Sequence, residues 1–351
     1  MMKHNFGAGP CILPQEVFKE AAKAVLDFNG LSILEVSHRS ADFIDVMEEA
    51  RANVKKALNV PEGYTVLFLQ GGASLGFLIA AMNFAGKNKK AGYINTGVWS
   101  TKAIKEAKNA GLEVVTVASS EDKDFSYIPE IGNIPSDIDY LHFTSNNTIY
   151  GTQFQSFPET EVPLICDMSS DIFSKEIDVS KFDLIYAGAQ KNLGPAGATL
   201  YIVKTEKLGK SSLNNIPSYL DLNVHAKKDS MFNTPPVYSV FVSNLNLRHL
   251  LRTGGVKEIE VKNNRKAALL YDEIDSNPNF TGTTAKDSRS KMNVTFKLTD
   301  ESKKERFDKL WNEAGIVGLK GHRSVGGYRA SMYNALEIES VKALVNVLKS
   351  L

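Results

Sequence analysis

Short apolar runs alternate with helical patterns through much of the chain, and this rhythm constrains the fold more than any other feature. The run at residues 66–69 is followed by the turn GGAS and by a helical pattern at residues 75–84. Further apolar runs typical of strands lie at residues 92–94, 113–117, 140–143, 164–166, 184–187 and 199–203. Strands that are apolar throughout indicate a mostly parallel sheet covered by helices on both faces. We therefore predict an α/β fold that binds its ligand beyond the carboxyl ends of the strands.

The length of the chain and a change in pattern near residue 255 predict two domains. The chain has 351 residues, and a single hydrophobic core stops growing at roughly 250–300 residues. Helical patterns at residues 240–251 and 257–274 flank the breaker Gly254-Gly255. After them come a strand at 292–298, a helix at 301–314, a strand at 315–319 and a terminal helix from 339. We predict a large domain at residues 16–255 and a small α+β domain at residues 256–351.

Composition excludes several classes of function. The net charge of +1 gives no reason to expect binding to nucleic acid or to a membrane surface. The start MMKHNFGAGP lacks the apolar core of a signal peptide, and no apolar stretch approaches the ~20 residues of a membrane span. We expect a cytoplasmic protein. Cys11 and Cys166 are its only cysteines, too few for a disulfide framework or a four-ligand metal site, and Cys166 has the setting of a small buried hydrophobe.

A glycine-flanked turn places one lysine just beyond a predicted strand. The segment YAGAQKNLGPAG at residues 186–197 carries Lys191, and the run PLICD ends another predicted strand on Asp167. An amine and a carboxylate at neighbouring strand ends are the groups that pyridoxal phosphate requires, one for its aldehyde and one for its ring nitrogen. A lysine in a loop is more often a solvated charge, so its position alone does not make it catalytic.

Other segments have both a functional and an ordinary interpretation. The turn GGAS at residues 71–74 precedes a helix, where backbone N–H groups bind phosphate, although such turns are also common chain geometry. Trp99 follows a strand, where it could stack on an aromatic cofactor or simply belong to the core. Five basic residues lie among small and turn-forming residues and suit the capture of carboxylate or phosphate, unless they are surface charges: His38, Arg39, His322, Arg323 and Arg329.

Six segments together resemble the phosphoserine aminotransferase family. They are YAGAQKNLGPAG, HRS at 38–40, FGAGPCILP at 6–14, NNTIYGT at 146–152, FNTPPVYSVF at 232–241 and GHRSVGGYRASMYNAL at 321–336. The resemblance runs from the first ten residues to the last helix. It implies a pyridoxal phosphate-dependent transferase of fold type I and class V, with a mixed, mainly parallel seven-stranded sheet in the large domain. It also implies that residues 1–15 join the small domain, and that the chain forms a homodimer with its sites at the subunit interface.

The resemblance also implies a reaction. Members of this family transfer the amino group between L-glutamate and 3-phosphooxypyruvate, which gives O-phospho-L-serine and 2-oxoglutarate in serine biosynthesis. The sequence leaves open the relative use of the related substrate that yields 4-phosphooxy-L-threonine in pyridoxine biosynthesis.

Roles carried over from the family fall on residues of this chain. Lys191 is the implied amine that binds the cofactor, Asp167 the partner of its ring nitrogen, Trp99 the ring that stacks on it and Thr148 the contact of its 3-hydroxyl. The resemblance assigns the cofactor's phosphate to Ala73, Ser74 and Gln190, together with Asn233 and Thr234 of the other subunit. It assigns the substrate's phosphate to His38, Arg39, His322 and Arg323. It assigns the substrate's α-carboxylate to Arg329.

Two positions depart from the family pattern. Many members carry arginine in place of Ser74 and an acidic residue in place of Asn147. We therefore expect phosphate binding to depend more on backbone groups than in those members.

Three alternatives remain to be weighed. A cysteine desulfurase needs a reactive cysteine in the C-terminal half, but the chain has none after Cys166, and it has Trp99 where that enzyme needs a histidine. An aminotransferase for an unphosphorylated amino acid would have little use for four basic phosphate receptors. A scaffold without activity gives no reason for Lys191 and Asp167 to occur together.

Overall fold

The computed structural model describes residues 3–351. Its α-helices are α1 (Gln15–Leu26), α2 (Ala41–Ala57), α3 (Gly72–Phe84), α4 (Val98–Asn109), α5 (Leu222–Ala226), α6 (Val237–Arg252), α7 (Gly255–Ser276), α8 (Lys304–Glu313) and α9 (Ile338–Lys349). Its strands are β1 (His4–Asn5), β2 (Tyr64–Leu69), β3 (Lys90–Asn95), β4 (Glu113–Ser119), β5 (Tyr140–Thr144), β6 (Asn146–Asn147), β7 (Thr152–Gln153), β8 (Leu164–Asp167), β9 (Leu184–Gly188), β10 (Thr199–Lys204), β11 (Phe280–Gly282), β12 (Asn293–Leu298), β13 (Ile316–Val317) and β14 (Tyr328–Ser331).

Seven strands form the central sheet in the order β2-β10-β9-β8-β5-β3-β4. Strand β10 runs antiparallel to both neighbours, and the other pairs are parallel. A short turn can join β9 to β10 because they are antiparallel, whereas parallel strands need a crossover. The mixed, mainly parallel seven-stranded sheet of fold type I is confirmed.

Helices cover both faces of this sheet because its strands are apolar on both faces. Along β9, Ile185 packs in one core with α1, α2 and α6, whereas Tyr186 packs in a second core with α3 and α4. Helix α2 buries Phe43, Val46 and Met47, spaced as one helical face requires. On the other face, a Cβ at Gly76 of α3 would lie only 2.7 Å from Cδ2 of Tyr186. Glycine therefore lets α3 approach β9 closely, and this sets where the N-terminus of α3 lies.

The C-terminal region has a core of its own. Strands β11, β12 and β14 form an antiparallel sheet, whose residues share a core with residues of α7, α8 and α9. Strand β1 pairs in parallel with β13, and Phe6 is buried in the same core. Buried Lys266 of α7 donates three hydrogen bonds of 2.8–3.1 Å, to carbonyl oxygens of Met332, Tyr333 and Leu336. These bonds tie the segment after β14 to α7.

Helix α7 begins at Gly255, so only the first of the two predicted breaking glycines lies outside it. Gly254, between α6 and α7, adopts a left-handed conformation with φ of 105°, which glycine tolerates because it has no Cβ. Helix α7 starts in the core of the large sheet through Val256 and ends in the C-terminal core through Ile274. Within residues 3–351, no helix combines the length and the apolar character that a membrane crossing requires.

Candidate active site

A cavity of about 160 Å³ lies at the carboxyl ends of the parallel strands, where open α/β sheets bind their ligands. Six of the predicted site residues line it: Ala73, Ser74, Trp99, Asp167, Gln190 and Lys191. Six residues without a predicted role line it too: Gly72, Phe77, Thr144, Asn146, Ser169 and Ser170. Four of these six are polar residues that lie within four residues after a predicted strand, a position from which they could have been predicted.

Lys191 lies in the turn between β9 and β10, with its amine directed into the cavity. Its Nζ is 3.3 Å from Oγ1 of Thr148 and 5.2 Å from the centre of the Trp99 ring. Burial lowers the pKa of Lys191 to about 8, against the opposing charge of Asp167. The amine is therefore partly neutral near physiological pH, and only a neutral amine is a nucleophile or a base.

The N-terminal segment packs against this turn from outside. The backbone N–H of Cys11 donates to the carbonyl oxygen of Gln190 at 3.0 Å, and the hydroxyl of Tyr333 donates to the carbonyl oxygen of Ala8 at 2.9 Å. The thiol of Cys11 contacts the carbonyl oxygen of Lys191. The Lys191 turn is thus held by the first and last parts of the chain together.

Asp167 ends β8 and is buried. Its Oδ1 accepts hydrogen bonds from the backbone N–H of Ser169 at 2.9 Å and from its hydroxyl at 2.6 Å. Ser169 Oγ in turn accepts from the N–H of Gly188 at 3.0 Å, which ties the carboxylate to β9. Burial raises the pKa of Asp167, and the bonds from Ser169 and the charge of Lys191 oppose this rise. Among the described residues, none donates to Oδ2, which leaves that oxygen for a protonated ligand nitrogen.

Trp99 lines the cavity and is held by Thr148. The indole Nε1 of Trp99, in the first turn of α4, donates to Oγ1 of Thr148 at 2.9 Å. Nη1 of Arg329, on β14, donates to the carbonyl oxygen of Thr148 at 3.1 Å. The Nε of Arg329 is buried without a partner among residues 3–351. A half-buried guanidinium with free donors is suited to binding a carboxylate.

The start of α3 forms a cradle for an anion. Gly71 and Gly72 are left-handed, with φ of 102° and 65°, and no side chain caps the first N–H groups of α3. Those N–H groups and the positive end of the helix dipole favour a phosphate. A Cβ at Gly72 would meet nothing within 4 Å, so the cradle is open. Together with the free carboxylate oxygen of Asp167 and the amine of Lys191, this donor set fits pyridoxal phosphate.

His322 and Arg323 lie on the loop at residues 318–327, between β13 and β14. Partial burial lowers the pKa of His322, and the positive charges of Arg329, Arg323 and Lys102 lower it further. The structure therefore brings His322, Arg323 and Arg329 together. Exposed Lys102 of α4 is a further cation near Trp99, with its Nζ 4.8 Å from the centre of the ring. It was not predicted, although its position one helical turn after Trp99 was a signal for it.

Eight predicted site residues are not among those that line the cavity. Four of them have been described above, namely Thr148, His322, Arg323 and Arg329, and four lie on other segments. His38 and Arg39 lie between α1 and α2, and Asn233 and Thr234 lie between α5 and α6. The carbonyl oxygen of Thr234 accepts a hydrogen bond of 2.8 Å from the side chain of Gln70. This bond places Thr234 near the turn at Gly71 where α3 begins. Exposed apolar side chains lie near His38 in sequence, among them Leu31 and Leu34.

Known proteins resemble this chain over its whole length. The profile of the family described as Aminotransferase class-V matches residues 3–344. Phosphoserine aminotransferase of Flavobacterium psychrophilum is 59% identical over 354 residues, covering 100% of this chain and 99% of that protein. Phosphoserine aminotransferase of Bacteroides thetaiotaomicron is 55% identical, covering 99% of this chain and 98% of that protein.

Solved structures agree with the sequence relatives. Phosphoserine aminotransferase from Bacillus circulans subsp. alkalophilus is 44% identical and superimposes with a TM-score of 0.96, covering 99% of this chain and 98% of that one. A PLP-bound phosphoserine aminotransferase from Trichomonas vaginalis is 35% identical with a TM-score of 0.94, covering 99% of this chain and 100% of that one.

Proposed function

The chain belongs to the aminotransferase class-V family, and from that premise we propose that it acts as a phosphoserine aminotransferase. It is a pyridoxal phosphate-dependent enzyme that moves the amino group between L-glutamate and 3-phosphooxypyruvate, giving O-phospho-L-serine and 2-oxoglutarate. The observation that carries this conclusion is the shared cavity of Lys191, Asp167 and the uncapped start of α3, beside unpaired basic side chains.

Pyridoxal phosphate supplies an aldehyde that accepts the amino group and a protonated ring that draws electrons from the α-carbon of the amino acid. Lys191 is the amine that we assign to the aldehyde, and Asp167 the carboxylate assigned to the ring nitrogen. Trp99 would lie against the ring and Thr148 against its hydroxyl. The cofactor's phosphate would be held by the start of α3, with Ala73, Ser74 and Gln190.

Proton transfer at the α-carbon of the amino acid falls to Lys191. Its Nζ has a pKa of about 8, so near neutral pH part of the amine is uncharged and can take the proton from the α-carbon. The ammonium group formed in this way can then give the proton up again. Asp167, fixed by Ser169, would keep the ring nitrogen of the cofactor protonated. Both roles need a site with little water, and these side chains are buried deeply enough to provide one.

The site would bind two anionic groups of each substrate, its α-carboxylate and its distal anion. Arg329 would bind the α-carboxylate that all amino donors share, through the donors that its bond to Thr148 leaves free. His322 and Arg323 would bind the distal anion, which is a phosphate on one substrate and a carboxylate on glutamate. The same site would admit the oxo acid that is converted to 4-phosphooxy-L-threonine, which has one more hydroxylated carbon than 3-phosphooxypyruvate.

We further propose a homodimer in which the second subunit completes the site. We assign His38, Arg39, Asn233 and Thr234 to phosphate binding, although none of them lines the cavity of its own chain. A partner subunit would use them if it brought its own cavity against these loops. We also retain as proposals a cytoplasmic location and the division into residues 16–255 and 256–351 with residues 1–15.

The experiment that tests the function is a coupled assay of glutamate formation from O-phospho-L-serine and 2-oxoglutarate. The purified enzyme with pyridoxal phosphate should form glutamate, and Lys191→Ala should not. L-alanine in place of phosphoserine serves as the control for specificity. Equal rates with alanine and phosphoserine would contradict the proposed substrate, and no glutamate from either donor would contradict the reaction.

A further inference from the structure

Lys102 of α4 is an exposed cation that lies over an aromatic ring of the cavity. Its Nζ is 4.8 Å from the centre of the Trp99 ring, and Trp99 lines the cavity. The Nζ of Lys191 lies 5.2 Å from the centre of the same ring. One indole ring therefore has two amines close to it, one directed into the cavity and one at the surface of α4.

The side chain of Lys102 does not pair with the acid that its helix offers. Glu106 lies four residues later on α4, at the spacing of a helical ion pair. Among residues 3–351, no carboxylate lies within ion-pair distance of Lys102. The side chain instead extends towards the N-terminus of α4, as long side chains on helices do, and reaches the ring three residues earlier. Lys102 therefore places a positive charge beside the cavity that no carboxylate of the described chain neutralises.

Direct contacts connect this ring to the proposed receptor of the α-carboxylate. The indole Nε1 of Trp99 donates to Oγ1 of Thr148 at 2.9 Å, and Nη1 of Arg329 donates to the carbonyl oxygen of Thr148 at 3.1 Å. Lys102 and Arg329 are thus joined through Trp99 and Thr148 alone. A ligand whose carboxylate is bound by Arg329 would have the rest of its length near these residues.

Positive charge exceeds negative charge on this side of the cavity. The first turn of α4 contains no acidic residue, so the positive end of its dipole is not neutralised there. Burial lowers the pKa of His322, and the charges of Arg329, Arg323 and Lys102 lower it further. Among the described residues that line the cavity, Asp167 is the only acid. A ligand that carries two or three negative charges would balance this excess.

We propose that Lys102 is a specificity-determining residue that binds the distal phosphate of O-phospho-L-serine and of 3-phosphooxypyruvate through its ammonium group. The inference rests on the proposed function, and it adds a cation from a helix to those that the loops supply. The phosphorus of phosphoserine is three bonds from the α-carbon, a span of about 4 Å, and the four-carbon stem of a lysine adjusts to such a group.

The charge of the distal group explains why one more cation favours phosphate over carboxylate. A phosphate ester carries about −1.5 to −2 charges at neutral pH, whereas the distal carboxylate of glutamate carries one. An added cation therefore stabilises the phosphorylated substrate more. Because Lys102 is already held over Trp99 in the free protein, less side-chain entropy is lost when the anion binds.

The test compares the wild type with Lys102→Met, which keeps a long apolar side chain beside Trp99 and removes the charge. Single-turnover reactions of the loaded enzyme use O-phospho-L-serine and L-serine, two donors that differ only in the phosphate. Lys102→Met should lower the second-order rate constant for phosphoserine about 3- to 10-fold, a modest loss because water screens an exposed cation. The rate constant for serine should stay unchanged.

Binding of 3-phosphoglycerate gives a readout that needs no reaction. This compound has the carboxylate and phosphate of phosphoserine but a hydroxyl group in place of the amine, so it cannot be transaminated. Its Kd for the loaded protein, measured by calorimetry, should rise about 3- to 10-fold in Lys102→Met. The Kd of glycerate, which lacks the phosphate, should not change.

The matched control is Lys105→Met. Lys105 is also an exposed lysine of α4 and lies one helical turn further from its N-terminus. Its variant should behave as the wild type in both measurements.

The outcomes separate this inference from the proposed function. Unchanged constants in Lys102→Met, equal losses for phosphoserine and serine, or an equal loss in Lys105→Met would overturn the role of Lys102 even if the wild type makes glutamate from phosphoserine. Weaker binding of 3-phosphoglycerate in Lys102→Met, with no glutamate formed by the wild type, would support the phosphate site and contradict the reaction instead.

Discussion

Replacing Arg329 or Arg323 with alanine should lower kcat/KM for different sets of amino donors. Arg329 is half-buried and uses one donor on Thr148, which leaves donors for a two-point bond to the α-carboxylate. Two charge-assisted bonds in a partly desolvated site contribute about 3–4 kcal/mol, so Arg329→Ala should lower kcat/KM roughly 100- to 1,000-fold with every amino donor. Arg323 is exposed on its loop, where water screens the charge. Arg323→Ala should lower kcat/KM for phosphoserine by about 5- to 30-fold and hardly change alanine.

Single-turnover reactions of the loaded enzyme measure both effects, through the loss of visible absorbance with phosphoserine, glutamate and alanine. Lys320→Ala is the control, because Lys320 is an exposed cation on the same loop, three residues before Arg323. It should change none of the three reactions. Equal losses for phosphoserine and alanine in Arg323→Ala would mean that the loop supports the fold or the subunit interface. A loss confined to phosphoserine in Arg329→Ala would refute its assignment to the α-carboxylate.

The remaining predictions concern the cofactor, the core and the assembly. Borohydride reduction followed by peptide mapping should label Lys191 alone, and label on another lysine would refute the assignment. In cofactor-free wild type, the rate of cofactor uptake should rise as pH passes about 8, since the neutral amine of Lys191 forms there; a flat profile would contradict it. Lys266→Met should lower the free energy of unfolding in urea by about 2–4 kcal/mol, because three buried carbonyls lose their donor, whereas exposed Lys262→Met should change it little. Sedimentation at assay concentrations should show a dimer, whose interface we expect to exceed ~2,000 Å². A fully active monomer would refute the site assignments of Asn233 and Thr234.

Much of the sheet was predictable because its strands are buried on both faces. Continuous apolar runs revealed β2, β5, β8, β9 and β10 to within a few residues. Helices α1 and α2 were not predicted, although the spacing of Phe43, Val46 and Met47 is that of an amphipathic helix. Both helices mix polar and apolar residues, so they can be recognised only from the 3.6-residue spacing of the large apolar ones.

The candidate site was predictable where strand ends define it and not where distant segments pack. Lys191 and Asp167 follow neighbouring strands, so their proximity follows from the topology. The bond between Arg329 and Thr148 depends on how the C-terminal sheet rests against the large one, which no local pattern encodes.

The pairing of β1 with β13 sets the order in which the enzyme can be completed during synthesis. His4 and Asn5 are made well before their partners Ile316 and Val317, which lie about 310 residues later in the chain. Until then the N-terminal segment has no strand to pair with, and the Lys191 turn lacks the support of the bond from Tyr333 to Ala8. Contacts of such long sequence separation form late and slowly. The nascent chain therefore lacks these supports of the cavity until residues 316–333 have been translated.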